Sequence, residues 1–223
     1  MSAMKMIKRN LSEQIEEVIR KRIMLLEFSE GEHIKENKLA EEFSISRGPI
    51  REAIAKLELE GLVTRAANGR TMVSRFDIEY VENLYDVRIM LEKFAIQTLV
   101  KGVNNDALEE LQSYVDTMKT QKDHSDIYRE ADINFHFSLV KLSQNKTLIQ
   151  SWYSLKDLLL TLIEVTTTAS SERQNDIIEQ HDSIINAIRE GQFNQASIVL
   201  EEHLRSASDY YREAVFRLQN EEE

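Results

Sequence analysis

The chain has 223 residues, 42% of them hydrophobic and 30% charged, so it can bury a real core beneath a well-solvated surface. It contains no cysteine, which excludes a disulfide framework and any thiolate metal site. No apolar run approaches the roughly 18 residues needed to cross a bilayer, and the basic start lacks a signal peptide's apolar stretch, so a cytoplasmic protein with no membrane partner is expected. The net charge of −11 speaks against a nucleic-acid partner until it is divided along the chain. Residues 1–75 hold 14 Lys/Arg against 12 Asp/Glu, while residues 76–223 hold 14 against 27. Only the first third suits a phosphate backbone, and the asymmetry points to two parts.

Leu11, Ile15, Val18, Ile19, Ile23 and Leu26 recur at helical spacing and predict an amphipathic first helix, broken by Glu30-Gly31-Glu32. Asn37 is expected to cap a short second helix, Lys38 to Phe43, with Leu39 and Phe43 on one face. A third helix follows. Ser46 suits its N-cap, Pro49 its first turn, Ile50, Ile54 and Leu57 its apolar face, and Gly61 its stop. Two helices joined by three or four residues predict a helix-turn-helix, in which Arg47 and Arg51 stand one turn apart at the start of the recognition helix. There they face phosphates or a guanine edge. Leu62–Arg65 and Thr71–Ser74 read as short strands joined through Asn68-Gly69, a hairpin turn signal, with Arg70 at the tip of the resulting wing.

This segment resembles the DNA-binding domain of the GntR family, whose hallmark is Ser-Arg-x-Pro-Val-Arg-Glu-Ala-Leu followed by Leu-x-x-Glu-Gly-Leu-Val. Here the run is Ser46-Arg47-Gly48-Pro49-Ile50-Arg51-Glu52-Ala53-Ile54, then Leu57-Glu58-Leu59-Glu60-Gly61-Leu62-Val63. The resemblance implies DNA contacts from Ser46, Arg47, Gly48 and Arg51, and from Asn68, Gly69 and Arg70 on the wing. Two departures stand out: Glu30-Gly31 replaces the family's Pro-Gly, and Asn37-Lys38 lies near a position where the family often has a DNA-touching arginine. Which side chain of the second helix reaches the groove is left open between Asn37 and Lys38.

From residue 76 onward the pattern is helical, with no further proline. Breaks near Gly102–Asn105, Lys122–Ser125, Gln144–Lys146, Ala169–Ser171 and Gly191-Gln192 divide it into six helices, predicting an antiparallel bundle. The fold class is therefore mostly α: a winged helix-turn-helix over 8–75 and an all-helical, six-helix effector-binding and dimerisation domain over 76–220. Three of the five histidines fall on apolar stripes. Asp132 and His136 are one turn apart beside Tyr128, Phe135 and Leu139. His181 and His203 flank Gly191 at ten and twelve residues, about 15 and 18 Å along an antiparallel hairpin, so they face each other. One carboxylate and three imidazoles suit one borderline divalent cation per chain, such as Zn²⁺, Ni²⁺ or Mn²⁺. A satisfied polar core is the plainer alternative. His33 and His124 fall in expected loops without a role, and Trp152 and Tyr153 read as packing residues.

The helical part also resembles the FadR-type C-terminal domain, in the branch that holds a metal through one Asp and three His. Asp132-Ile133-Asn134-Phe135-His136 matches Asp-x-x-Phe-His, Glu179-Gln180-His181 matches its Glu-His segment, and His203 its third histidine. Leu84-Tyr85-Asp86-Val87-Arg88-Ile89-Met90-Leu91-Glu92 resembles the start of the bundle, which makes Arg88 the candidate partner of a carboxylate ligand. The resemblance implies a homodimeric regulator of a double-stranded, two-fold-related DNA operator, responsive to a small organic acid and most simply a repressor. A purely structural metal is the first alternative. A metal-dependent enzyme is the second, but there is no His-Glu-x-x-His pattern, no Ser or Cys nucleophile framework and no catalytic base in register with the four ligands.

Overall fold

The computed structural model describes residues 10–99, 102–166 and 171–220. They form two compact units, one up to Phe76 and one from Asp77 onward.

The first unit begins with α1 (Leu11–Met24), closed at its start by a capping box: Asn10 Oδ1 accepts from the Glu13 amide, and Glu13 Oε2 accepts from the Asn10 amide. The helix ends before Glu30-Gly31, because Leu26 turns into the left-handed region (φ 60°). Next come β1 (His33–Ile34), α2 (Glu36–Glu42), α3 (Arg47–Leu59), β2 (Val63–Arg65) and β3 (Thr71–Val73). The strands form an antiparallel sheet in the order β1-β3-β2, pairing Ile34 with Thr71 and Val63 with Val73. His33 therefore lies in a strand rather than a loop; two residues are too short to show an alternating pattern. Asn37 is not the cap of α2, which starts two residues earlier than expected, at Glu36 after Lys35, and Ser46 stands at the N-cap of α3 without a side-chain capping bond. In the wing only Gly69 takes the left-handed conformation (φ 78°), where a Cβ would be strained. The core joins Ile15, Ile19 and Ile23 of α1 to Ile50, Ile54 and Leu57 of α3. Beside it Arg20, 2% exposed, holds Glu60 through Nε at 2.8 Å and Nη2 at 2.6 Å and also pairs with Glu16, whose other oxygen lies 2.9 Å from Lys56.

The second unit is wholly helical over its described residues: α4 (Ile78–Gln97), α5 (Asn105–Thr120), α6 (Ser125–Lys141), α7 (Lys146–Tyr153), α8 (Lys156–Thr166), α9 (Ser171–Arg189) and α10 (Phe193–Asn220). These are seven helices, not six. Residues 146–166 are divided at Ser154-Leu155, where the Ser154 hydroxyl donates to the Ser151 carbonyl and Trp152 is buried against Phe137. No glycine or proline marks that bend. Part of the expected break at 169–171 lies outside the described residues. Asp77, Asn104 and Asn145 cap α4, α5 and α7. Gly191, at φ 71°, turns α9 back into α10. The long α10 packs on α4 and α9, and α6 packs on α4, α5 and α8, so α4, α6, α9 and α10 surround a shared interior. Among the described residues no helix is long and apolar enough to cross a membrane.

Candidate nucleic-acid interface and candidate metal centre

In the first unit, α3 presents Ser46, Arg47, Gly48 and Arg51 at its exposed N-terminal end. A groove of about 600 Å³ brings Arg47 together with Asn37 and Lys38 of α2 and Asn68, Gly69 and Arg70 of the wing. Ser46, Gly48 and Arg51 do not line that groove. Arg51 is instead joined to it through Glu36, the first residue of α2: one oxygen, Glu36 Oε2, accepts from Arg47 Nη2 and from Arg51 Nε, each at 2.8 Å. The hydrogen bonds from Arg47 and Arg51 hold the Glu36 carboxyl below its ordinary pKa. The sequence pattern gives Glu36 no role, since nothing in the spacing links it to Arg47 and Arg51 eleven and fifteen residues on.

In the second unit, Asp132 and His136 of α6 meet His181 of α9 and His203 of α10, each offering one ligand atom, all within 4.8 Å of one another. His136 Nε2 lies 3.2 Å from His181 Nε2 and 3.3 Å from His203 Nε2, and Asp132 Oδ1 lies 3.3 Å from His181 Nε2. Two ligands at about 2.1 Å from one ion, at angles between octahedral and tetrahedral, stand roughly 3.0–3.4 Å apart. The spacing fits. The outer ring nitrogens are all engaged: His136 Nδ1 at 2.6 Å from Glu92 Oε2, His181 Nδ1 at 2.7 Å from the Ile177 carbonyl, and His203 Nδ1 at 2.8 Å from Gln180 Oε1. A carboxylate and a carbonyl only accept, so His136 and His181 donate from Nδ1, and in the neutral form each ring leaves its Nε2 lone pair for an ion. With Gln180 oriented as an acceptor, His203 does the same. Three lone pairs aimed at one point repel each other unless a cation lies between them. The donor set fits a metal better than it fits an apolar core.

Burial favours the neutral rings. It depresses the His136 pKa despite the opposing pull of Glu92, and it depresses His203 further, helped by repulsion from His181 and His136. Burial works to raise the Asp132 pKa, yet a protonated His181, by hydrogen bond and charge, and the charges of His136 and Arg88 would hold it well below the usual carboxylate range. Glu92, wholly buried, is brought down to about 2: desolvation opposes this, but His136 and Arg88 outweigh it. Glu92 Oε1 accepts from Arg88 Nε and Trp152 Nε1, each at 2.8 Å.

Beside the cluster lies a cavity of about 230 Å³, lined among others by Arg88, Asp132, His203, Tyr85, Tyr128 and Arg173. Of the four cluster residues only Asp132 and His203 reach it. Arg88 Nη1 is 3.4 Å from Tyr85 Oη, while Arg88 Nη2 and the Tyr128 hydroxyl are buried without a partner among the described residues. Sequence reading found Arg88 but gave no role to Glu92, Gln180 or Tyr128, although all three stand in segments it quoted.

The FCD domain family matches residues 83–206, more than half of the chain, and the gntR family of bacterial regulatory proteins matches residues 11–73. The chain belongs to the GntR family, in the FadR-type subfamily whose C-terminal part is an FCD domain. As a GntR protein it is a DNA-binding transcriptional regulator and not an enzyme. It is 29% identical over 177 residues to the gluconate operon transcriptional repressor of Bacillus licheniformis, spanning 77% of this chain and 72% of that protein. It is 25% identical over 221 residues to the transcriptional repressor NanR of Escherichia coli, spanning 90% and 84%. The fold recurs in the Listeria monocytogenes regulator Lar (TM-score 0.66, 21% identity, 94% of this chain and 98% of that one). It recurs also in McbR/YncC of Escherichia coli (TM-score 0.66, 18% identity, 92% and 98%). The helical unit matches a metal-free FCD domain of another regulator (TM-score 0.53, 19% identity, 64% and 99%).

Proposed function

We propose that this GntR protein is a cytoplasmic repressor that acts as a homodimer on a two-fold-related operator and responds to a divalent metal and a small carboxylate. Residues 8–75 read the DNA, and 76–220 bind effector and dimerise. The carrying observation is the convergence of three histidine Nε2 atoms on one point, with every Nδ1 already hydrogen-bonded. Asp132, His136, His181 and His203 hold one ion per chain, Zn²⁺, Ni²⁺ or Mn²⁺ by the chemistry of the donors. When bound, the ion supplies coordination positions for a carboxylate oxygen. Arg88 pairs the same carboxylate from the cavity side, through the Nη2 atom that lacks a partner among the described residues. The repressor sense rests on the curated relatives, both of them repressors.

At the DNA, Arg47 and Arg51 of the recognition helix face the major groove beside Ser46 and Gly48, and Asn37 and Lys38 flank them. Asn68, Gly69 and Arg70 approach the minor groove or its phosphates from the wing. Effector and operator then change each other's affinity by the same factor. Elemental mass spectrometry on untagged protein never exposed to chelator tests the centre: about one divalent ion per chain is expected. Protein that stays metal-free after soaking in Zn²⁺, Ni²⁺ and Mn²⁺ sinks the metal-linked reading. Thermal shifts of the metal-loaded protein with a panel of small acids separate a sensing ion from a structural one, since a structural ion gives a large chelator effect and no acid effect.

A further inference from the structure

Glu92 belongs to neither the ligand set nor the cavity wall, yet it is fully buried on α4 and joins both. Its two oxygens have different partners. Oε1 accepts from Arg88 Nε and Trp152 Nε1, and Oε2 accepts from His136 Nδ1. Arginine Nε–H and indole Nε1–H have a proton to give and no lone pair to offer, so whatever stands at the Oε1 position must be an acceptor. The imidazole is the only one of the three partners that can switch between donor and acceptor. A neutral histidine carries one ring proton, so the atom facing Nδ1 decides whether Nε2 keeps its lone pair.

We propose that Glu92 is a positioning residue that locks His136 in the Nδ1-protonated tautomer, and so makes its Nε2 a metal ligand, while the same carboxylate aims Arg88 at the cavity. This rests on the metal reading above and deepens it: the anion-binding arginine and one metal ligand share a single buried carboxylate, so disturbing one disturbs the other.

The logic gives an isosteric test. In Glu92→Gln the amide must keep its oxygen toward Arg88 and Trp152, so its NH₂ faces His136. Nδ1 must then accept, the proton moves to Nε2, and the cluster loses a ligand with almost no change in shape. Histidine-selective ¹⁵N NMR on metal-free protein reads the tautomer directly, with His136 assigned by its loss in His136→Gln. The wild type should show His136 protonated at Nδ1, and Glu92→Gln should show it protonated at Nε2. Chelator-competition titration with Zn²⁺ should give Glu92→Gln an affinity lower by about 10–100-fold, the range for lost outer-shell partners of a metal-ligating histidine. Trp152→Phe removes a neighbour of Oε1 but leaves the Oε2–His136 contact, and should bind Zn²⁺ within about threefold of wild type. A wild-type His136 protonated at Nε2 overturns the proposal without any variant, so a Glu92→Gln protein that misfolds does not shelter it. Glu92→Gln that keeps the Nδ1 tautomer, or binds Zn²⁺ as wild type does, also overturns it. Wild-type protein that takes up no ion sinks the metal reading instead, while the ring spectra still decide the role of Glu92.

Discussion

Glu36→Gln isolates the electrostatics of the candidate DNA surface. In the free protein one carboxylate oxygen serves two recognition-helix arginines at 2.8 Å each, so the three groups carry a net charge of +1 rather than +2. Arg47 and Arg51 are 50% and 61% exposed and Glu36 is 24% exposed, so water screens them and a high dielectric applies. A unit charge about 6 Å from a phosphate contributes roughly 0.7 kcal/mol in water, or about threefold in affinity. One further phosphate neutralised steepens the plot of log K against log salt by about 0.9. Non-specific duplex should therefore bind Glu36→Gln about threefold more tightly at low salt, with the gain shrinking as salt rises. Promoter DNA should gain less, because Glu36 also fixes the direction of both guanidinium groups, so discrimination between the two DNAs falls. Fluorescence anisotropy with equal-length promoter and random duplexes at several salt concentrations reads both quantities. An unchanged salt slope, or discrimination that stays the same or improves, refutes this role for Glu36.

Acid should loosen the metal-free helical unit in two stages. Burial depresses the pKa values of His136 and His203, so below the unfolded histidine value of about 6.5 the unfolded chain binds more protons, and stability falls by at most about 1.4 kcal/mol per pH unit for each histidine. Asp132 and Glu92 carry depressed pKa values, so their contribution is present above the usual carboxylate range and is lost as pH falls below about 4. A chelated sample whose melting temperature is flat from pH 7.5 to 5 contradicts the first stage. Arg20→Ala leaves Glu16 buried with only Lys56 beside it, and should destabilise the DNA-binding unit by about 3 kcal/mol; hydrogen exchange in α1 and α3 measures this, and a loss below about 1 kcal/mol counts against the network. Tyr128→Phe removes a buried hydroxyl that has no partner among the described residues, so the melting temperature without effector should hold or rise. The same variant should weaken binding of the small acid that stabilises wild type most by about tenfold; equal binding places the acid elsewhere.

Most of the architecture is legible because each element announces itself locally. The apolar spacing of Ile15, Ile19 and Ile23, the Ser46–Ile54 run and the Asn68-Gly69 turn all act within a few residues of themselves. The errors fall where a local preference was outbid. Ser46 holds the N-cap position of α3 without a side-chain bond, Asn37 caps nothing, and Glu36 opens α2 with its side chain drawn to Arg47 and Arg51 of α3. The bend between α7 and α8 carries neither glycine nor proline. It comes with the burial of Trp152 between Phe137 and Glu92, residues 15 and 60 positions away. A strand of two residues leaves no period to detect.

The four candidate ligands come together for a particular reason: helix geometry converts spacing into proximity. Asp132 and His136 share a face by one turn, and His181 and His203 meet because a hairpin about Gly191 sets them at similar heights. Glu92 has no such arithmetic. Its partners arrive from three helices at separations of 4, 44 and 60 residues, and only the packing of α4 against α6 and α7 brings them to one carboxylate. What the sequence does show is a glutamate four residues after Arg88, on a helical face shared with the apolar Tyr85 and Ile89. An anion in that register must have found enough donors to replace its water. A buried carboxylate without an assigned partner is therefore a stronger pointer than a histidine on an apolar stripe, because it cannot discard its charge as cheaply as an imidazole can. That asymmetry singles out Glu92, rather than any of the four candidate ligands, as the carboxylate that ties Arg88 and Trp152 to His136.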